Sequence, residues 1–264
     1  MIVSAFMTNI NSNRTNDKYI EYGKFLIQFQ GHKIIFIERY IYELYNLRRY
    51  ENETTIFIFF EKHEIYFYKI YGTDFSKTQS SDLFENFYQI KHDNQEKNTL
   101  DYMFVQCHKT EWLRMAIELT EKTENLKVQN FNQFVWIDFG IYHMIEETER
   151  KNWNLFLSSI INPLKKYNNI RIASGWNLET ELITEHPDDI YKRIVWYFLG
   201  SVVGGDKYAI IAFSYIMKSI TMKICNQKKL LMWEINIWWI IYKMYPELFD
   251  CYLCNHNSTI LKLY

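Results

Sequence analysis

Asp138 lies in the run Phe134-Val135-Trp136-Ile137-Asp138-Phe139-Gly140, in which four apolar residues lead to one carboxylate and, two positions on, a glycine. The run reads as a short buried strand that delivers an acid to its carboxyl edge, with Gly140 permitting a sharp turn. In open α/β sheets ligands bind outside that edge. An acid there can hold a divalent cation, and the cation a diphosphate. The competing reading is a loop aspartate that caps the next segment.

Three other places can carry chemistry. In Gly204-Gly205-Asp206 two glycines let backbone approach a ligand closely, and a following helix N-terminus offers free N–H groups. The alternative there is a plain turn with Asp206 as N-cap. Glu234 lies within Trp233-Glu234-Ile235-Asn236-Ile237-Trp238-Trp239. A carboxylate among tryptophans is costly to bury unless it is paired or functional, so Glu234 is a candidate general base with a raised pKa. Its alternative is a first-turn glutamate favoured by the helix dipole. His256, in Cys254-Asn255-His256-Asn257, can complete a metal site begun by Asp138 or can be a solvated loop residue. Cys251-x-x-Cys254 has no second pair, which argues against structural zinc. The chain carries no P-loop, no G-x-G-x-x-G after its first strand, no G-x-S-x-G and no H-E-x-x-H. The common nucleotide hydrolases, dehydrogenases, serine hydrolases and zincins are therefore set aside.

These residues need a scaffold. Strands are expected at Ile2 to Phe6, Lys33 to Ile37, Thr54 to Phe60, Phe134 to Ile137 and Asn169 to Ala173. Helices are expected from Asp17 to about Gln30, from Leu100 to Glu121 and from Glu149 to Ile161. The alternation predicts an α/β fold: a mainly parallel central sheet with helices on both faces. Thr54 to Phe60, apolar on both faces, reads as a central strand. A surface excursion spans Tyr71 to Asn98, with a short helix near Asp82 to Tyr88. The second half reads as more helical. Gly204-Gly205-Asp206 opens a helix through about Lys223, and another runs from about Met232 to Tyr245 before Pro246. No repeat or linker is visible, so the chain is read as one domain with two lobes.

Composition bounds the partners. With 264 residues, 48% of them hydrophobic, the chain can bury one large core. It balances 30 basic against 31 acidic residues, for a net charge of -1. No overall basic field favours nucleic acid. The 21 Tyr and 19 Phe accompany much Lys, Asn and Ile, a bias that matches AT-rich coding in a large DNA virus or an AT-rich microbe. The tyrosines are therefore discounted as a carbohydrate-stacking signature. Met1 to Met7 is too short for a signal h-region, so no signal segment is expected, and Ile194 to Met217, the nearest candidate for a membrane span, is broken by Asp206 and Lys207. A cytoplasmic chain, in the host cytoplasm or virion if viral, with reduced thiols and no transmembrane segment is expected. The aromatic pair Trp238-Trp239 is a candidate contact with a second subunit, as in a homodimer.

Taken in order, several pieces resemble the HtrL/YibB family of glycosyltransferases, a GT-A-like group. They are Ile2-Val3-Ser4-Ala5-Phe6 with Arg14 downstream, the aromatic helix with Tyr19 and Tyr22, Trp136-Ile137-Asp138-Phe139-Gly140, Gly204-Gly205, Glu234, and Tyr245-Pro246-Glu247-Leu248-Phe249 with Tyr252. The resemblance implies a UDP- or GDP-sugar donor held by about residues 1–140 and a glycan or protein acceptor on the side of about residues 141–264. Ser4, Ala5 and Phe6 would lie near the nucleobase, Arg14 near the diphosphate and Gly204-Gly205 along the sugar. Trp136 and Asp138 would fall where the family's metal-binding D-x-D motif falls, with Mn2+ or Mg2+ expected on Asp138 and His256. This chain departs from that motif, with Trp at 136 and Gly at 140. Glu234 would be the general base, with Asp206 its competitor. Two alternatives stay open: a non-catalytic sugar-nucleotide or glycan-binding protein on the same fold, and a metal-dependent nucleotidyltransferase with Asp138 and Glu234 as paired ligands.

Overall fold

The computed structural model describes residues 1–8, 15–71, 87–92, 97–127, 130–178 and 188–264. Arg14 lies outside the described residues, as does most of the segment expected to hold a short helix near Asp82 to Tyr88. Nine strands are described: β1 (Ile2–Phe6), β2 (Lys33–Ile37), β3 (Thr55–Phe59), β4 (Tyr88–Gln89), β5 (Gln133–Ile137), β6 (Ile170–Ser174), β7 (Phe198–Asp206), β8 (Leu230–Leu231) and β9 (Phe249–Leu253). Seven form one sheet in the order β3-β2-β1-β5-β7-β6-β9, while β4 and β8 pair separately. Every neighbouring pair in the large sheet is parallel except those made by β7, which runs against both β5 and β6.

The strands sort their side chains onto two faces with the period of two that a pleat imposes. Ile34 and Phe36 enter one core with Phe134 and Trp136, whereas Ile35, Ile37, Val135 and Ile137 point into cores on the opposite face. The helices Leu100–Lys122, Lys207–Lys228 and Glu234–Met244 cover the first face; Asn16–Ile27 and Trp153–Ile160 cover the second. This is the expected α/β layering. From β1 the chain steps outward through β2 to β3 and later returns on the other side of β1 as β5. The strand order thus reverses between β1 and β5, and a crevice opens beyond the carboxyl ends of strands at such a point.

Several expectations are corrected. β3 is an edge strand, not a central one; its apolar outer residues face helix Arg39–Leu44, where Tyr42 packs edge-on to Phe57 and Phe59. Besides the strand expected at Asn169 to Ala173, which is β6, the second half supplies two strands not expected, β7 and β9, to the common sheet. Gly204 and Gly205 do not form a turn: they are residues of β7, opposite Val135 and Phe134. Asp206 is the N-cap of helix Lys207–Lys228, its Oδ1 accepting from the Tyr208 N–H at 2.8 Å. Trp238 and Trp239 face inward rather than toward a second subunit, with Trp239 stacked on Tyr197 at 3.8 Å. By length and composition, helix Lys207–Lys228 is long and apolar enough to cross a membrane; here Ile210, Phe213 and Met217 on it pack into the core.

The two glycines are explained by crowding. Gly205 has φ +142°, a backbone state that side chains rarely adopt, and a Cβ there would meet the Asn169 carbonyl oxygen at 2.1 Å. Gly205→Ala is expected to cost roughly 3 kcal/mol or more, from a forbidden φ and a backbone clash together. A urea unfolding curve checks this; an unchanged midpoint would show that β6 yields freely.

Candidate functional site

Asp138 follows the last residue of β5, and the strand's period carries it to the face of Phe134 and Trp136. Its backbone N–H donates to the Ser201 carbonyl of β7 at 2.9 Å, which ties the strand end to its antiparallel neighbour. The Trp136 Nε1–H donates to Asp138 Oδ1 at 2.7 Å, and the Trp136 ring is itself held by stacking on Trp112, with centroids 5.6 Å apart. Trp136 therefore positions the carboxylate from below.

Helix Leu100–Lys122 brings Lys109 across the same face. Its Nζ lies 3.1 Å from Asp138 Oδ1 and 3.2 Å from Glu234 Oε1, and donates to the Gly200 carbonyl at 2.8 Å. Glu234 is the first residue of helix Glu234–Met244, so the helix N-terminus adds its positive end to the site. Glycine at 200 makes the arrangement fit: a Cβ there would lie 2.3 Å from Glu234 Oε1. The Lys109 and Glu234 side chains are 2% and 4% exposed, whereas Asp138 keeps 33%.

Burial of Lys109 and Glu234 is tolerated because they and the half-buried Asp138 compensate one another. Burial alone would depress the Lys109 pKa, but the carboxylates of Asp138 and Glu234 together hold it above the ordinary lysine value. Burial raises the Glu234 pKa; Lys109 opposes that shift and Asp138 reinforces it. Glu234 Oε2 is buried and, among the described residues, accepts no hydrogen bond. An unpartnered carboxylate oxygen in that position is costly, in keeping with the raised pKa of Glu234.

The cleft above the triad measures about 140 Å³ and is lined by Ala5 and Phe6 from the end of β1, together with Asp138, Lys109 and Glu234. A larger cavity of about 520 Å³ adjoins it, walled by Gly175, Trp176, Trp196 and Leu199. Lys97, Trp196 and His256 line both. Cleft and crevice coincide: the site sits at the carboxyl ends of β1 and β5, where the strand order reverses.

The residues expected from the sequence divide as follows. Ala5, Phe6, Trp136, Asp138, Glu234 and His256 all meet at the cleft. Ser4 does not line it; it is fully buried, and its Oγ–H donates to the Ile137 carbonyl at 2.7 Å, clamping β1 to β5. Gly204, Gly205 and Asp206 pair with the amino-terminal half of β5, at the opposite edge of the sheet. They line neither cavity, which removes Asp206 as a competing base. Gly140 has φ -93°, so no glycine-only backbone is needed there; a Cβ would instead press within 3.2 Å of the Tyr19 ring. Lys109, Gly200 and Ser201 belong to the site without having been anticipated.

A metal finds few donors here. Among the described residues no group of three or more His, Cys, Asp or Glu side chains comes together as a metal site. Asp138 Oδ1 is engaged by Trp136 and Lys109, and His256 stands at the rim, where partial burial and Lys97 lower its pKa while Asp138 opposes them. Burial pushes the Cys251 and Cys254 thiols up to about 12 and about 11, so neither is a ready thiolate ligand.

No protein-family model and no curated protein matches the chain. Among solved structures it is similar to a glycosyltransferase involved in the glycosylation of the major capsid of PBCV-1, at 9% sequence identity and a TM-score of 0.41, over 95% of this chain and 79% of that one.

Proposed function

We propose that this chain is a glycosyltransferase of the HtrL/YibB kind, moving a sugar from a UDP- or GDP-sugar to a hydroxyl of a glycan or protein acceptor. The observation that carries the reading is the meeting of Asp138, Glu234 and Lys109 on one cleft at the switch point of a mainly parallel sheet. In this reading the nucleobase rests against Ala5 and Phe6, and the larger cavity, with Trp176 and Trp196, receives a sugar ring. The Glu234 carboxylate takes the proton of the acceptor hydroxyl as the hydroxyl oxygen attacks the anomeric carbon. The bond from that carbon to the diphosphate breaks, and the diphosphate leaves with the electron pair. Asp138 orders the donor beside the base. The engagement of both carboxylates by Lys109 favours, as a second reading, a sugar-nucleotide-binding protein without turnover. A nucleotidyltransferase using the two acids as paired metal ligands is disfavoured, since an ammonium stands between them.

Incubation with a panel of UDP- and GDP-sugars, following released nucleoside diphosphate, tests the proposal. One donor is expected to be turned over, and Asp138→Ala to reduce that turnover at least 100-fold with the fold retained. Binding without turnover would establish the second reading. An Asp138→Ala variant with full activity would remove Asp138 from the reaction.

A further inference from the structure

The acids of this cleft already hold a cation. Lys109 Nζ lies within 3.2 Å of one oxygen on each of Asp138 and Glu234, the bridging position that a divalent ion takes between two carboxylates. It is fixed there. Lys109 rises from the middle of the 23-residue helix Leu100–Lys122, and its third contact is the Gly200 carbonyl at 2.8 Å, on a strand where glycine alone leaves room. The oxygen of Asp138 that faces Lys109 also accepts the Trp136 Nε1–H, so its lone pairs are committed. The ammonium neutralises one of the two carboxylates and reduces the attraction that would draw a dication into the cleft.

We infer that Lys109 Nζ is a built-in cation standing where a divalent metal would bridge the two acids, and that any nucleoside diphosphate the cleft takes is bound without a metal on them. The identity of that ligand rests on the proposed function; the cation argument does not. Lys109 is a positioning residue in this scheme, since its contacts are to the two acids and the β7 backbone rather than to a ligand.

Titration with Mn2+, read as the electron-paramagnetic-resonance signal of free ion, tests the cation directly. The wild-type chain is expected to show no Mn2+ site tighter than millimolar. Lys109→Ala leaves the two carboxylates facing a vacated space and is expected to gain one Mn2+ at least tenfold tighter; adding Asp138→Asn should abolish that gain. A wild-type Mn2+ site that Asp138→Asn removes would overturn the inference. Should Lys109→Ala fail to fold, wild type and Asp138→Asn alone decide it. Thermal shifts with UDP and GDP provide the second arm: equal shifts in EDTA and in Mn2+ support the inference, and a shift that needs Mn2+ overturns it. If neither nucleotide shifts the chain, the proposed donor falls, and the Mn2+ titration still decides the cation.

Discussion

Lys109→Met is expected to lower the melting temperature by roughly 10 °C at pH 8, and by clearly less at pH 5. Methionine nearly conserves the volume of the buried stem, so little of the loss comes from a cavity. What is lost is the counter-charge. Removing one partner of a buried ion pair costs about 3–5 kcal/mol, and about 1 kcal/mol moves the midpoint by roughly 2–4 °C in a chain approaching this size. The pH dependence follows from the sign of the linkage. Lys109 has a folded pKa above its ordinary value, so its contribution is fully present below that range and constant between pH 5 and 8. The carboxylates left behind supply the variation: burial already raises the Glu234 pKa, and loss of the opposing ammonium raises it further. Protonation at pH 5 then relieves part of the uncompensated charge. Calorimetry at the two pH values measures the difference. A deficit equal at both would mean that the acids do not depend on Lys109.

The strand that delivers Asp138 was legible because a buried strand followed by one acid and a turn has a local signature, and the carboxyl-edge rule needs only the alternation of strands and helices. Glu234 was legible for a different reason: a carboxylate between Trp233 and Ile235 has no inexpensive place to go. Lys109 was equally accessible. It lies four positions before Leu113 and seven before Ala116, both apolar, so the helix period puts a lysine on the buried face. A charge at such a position requires an acidic partner, and Asp138 and Glu234 are the two acids whose own sequence settings are apolar.

β7 was not legible, and the reason is physical. A strand that runs against its neighbours and is crossed closely by β6 and Tyr264 must carry glycines where backbone meets backbone: a Cβ at Gly204 would meet the Tyr264 hydroxyl at 2.3 Å and the Phe134 carbonyl at 2.4 Å. Two adjacent glycines before an acid and a helix look the same whether they line a ligand or relieve a clash. Only the pairing partners, distant in sequence, separate the cases. Likewise Gly200 and Ser201 reach the cleft because β7 is antiparallel, so that its amino-terminal half lies beside the carboxyl end of β5.

Glu234→Gln is expected to slow transfer by roughly 100- to 10,000-fold while raising the melting temperature by a few degrees at pH 8. Glutamine keeps the shape and an oxygen that can still accept from Lys109, and Lys109 retains Asp138 as its counter-ion at 3.1 Å. The proton acceptor is removed, and so is a destabilising ionisation. Burial, the largest influence on Glu234, raises its folded pKa above the unfolded one. Between the two values the native state keeps a proton that the unfolded chain releases, so wild-type stability falls as pH rises through that window and stays lower above it. The variant has no such fall. The difference between variant and wild type should therefore widen from pH 4 upward and then level off. The same ionisation governs the chemistry: wild-type transfer should rise with pH on an acid limb set above the ordinary carboxylate range, and the variant should lack that limb. Activity profiles and melting curves over one pH series read both effects. A variant that keeps the wild-type rate and acid limb would show that another group takes the proton; a variant that melts lower throughout would show that the charge of Glu234 stabilises the fold and that the buried Oε2 has no cost to relieve.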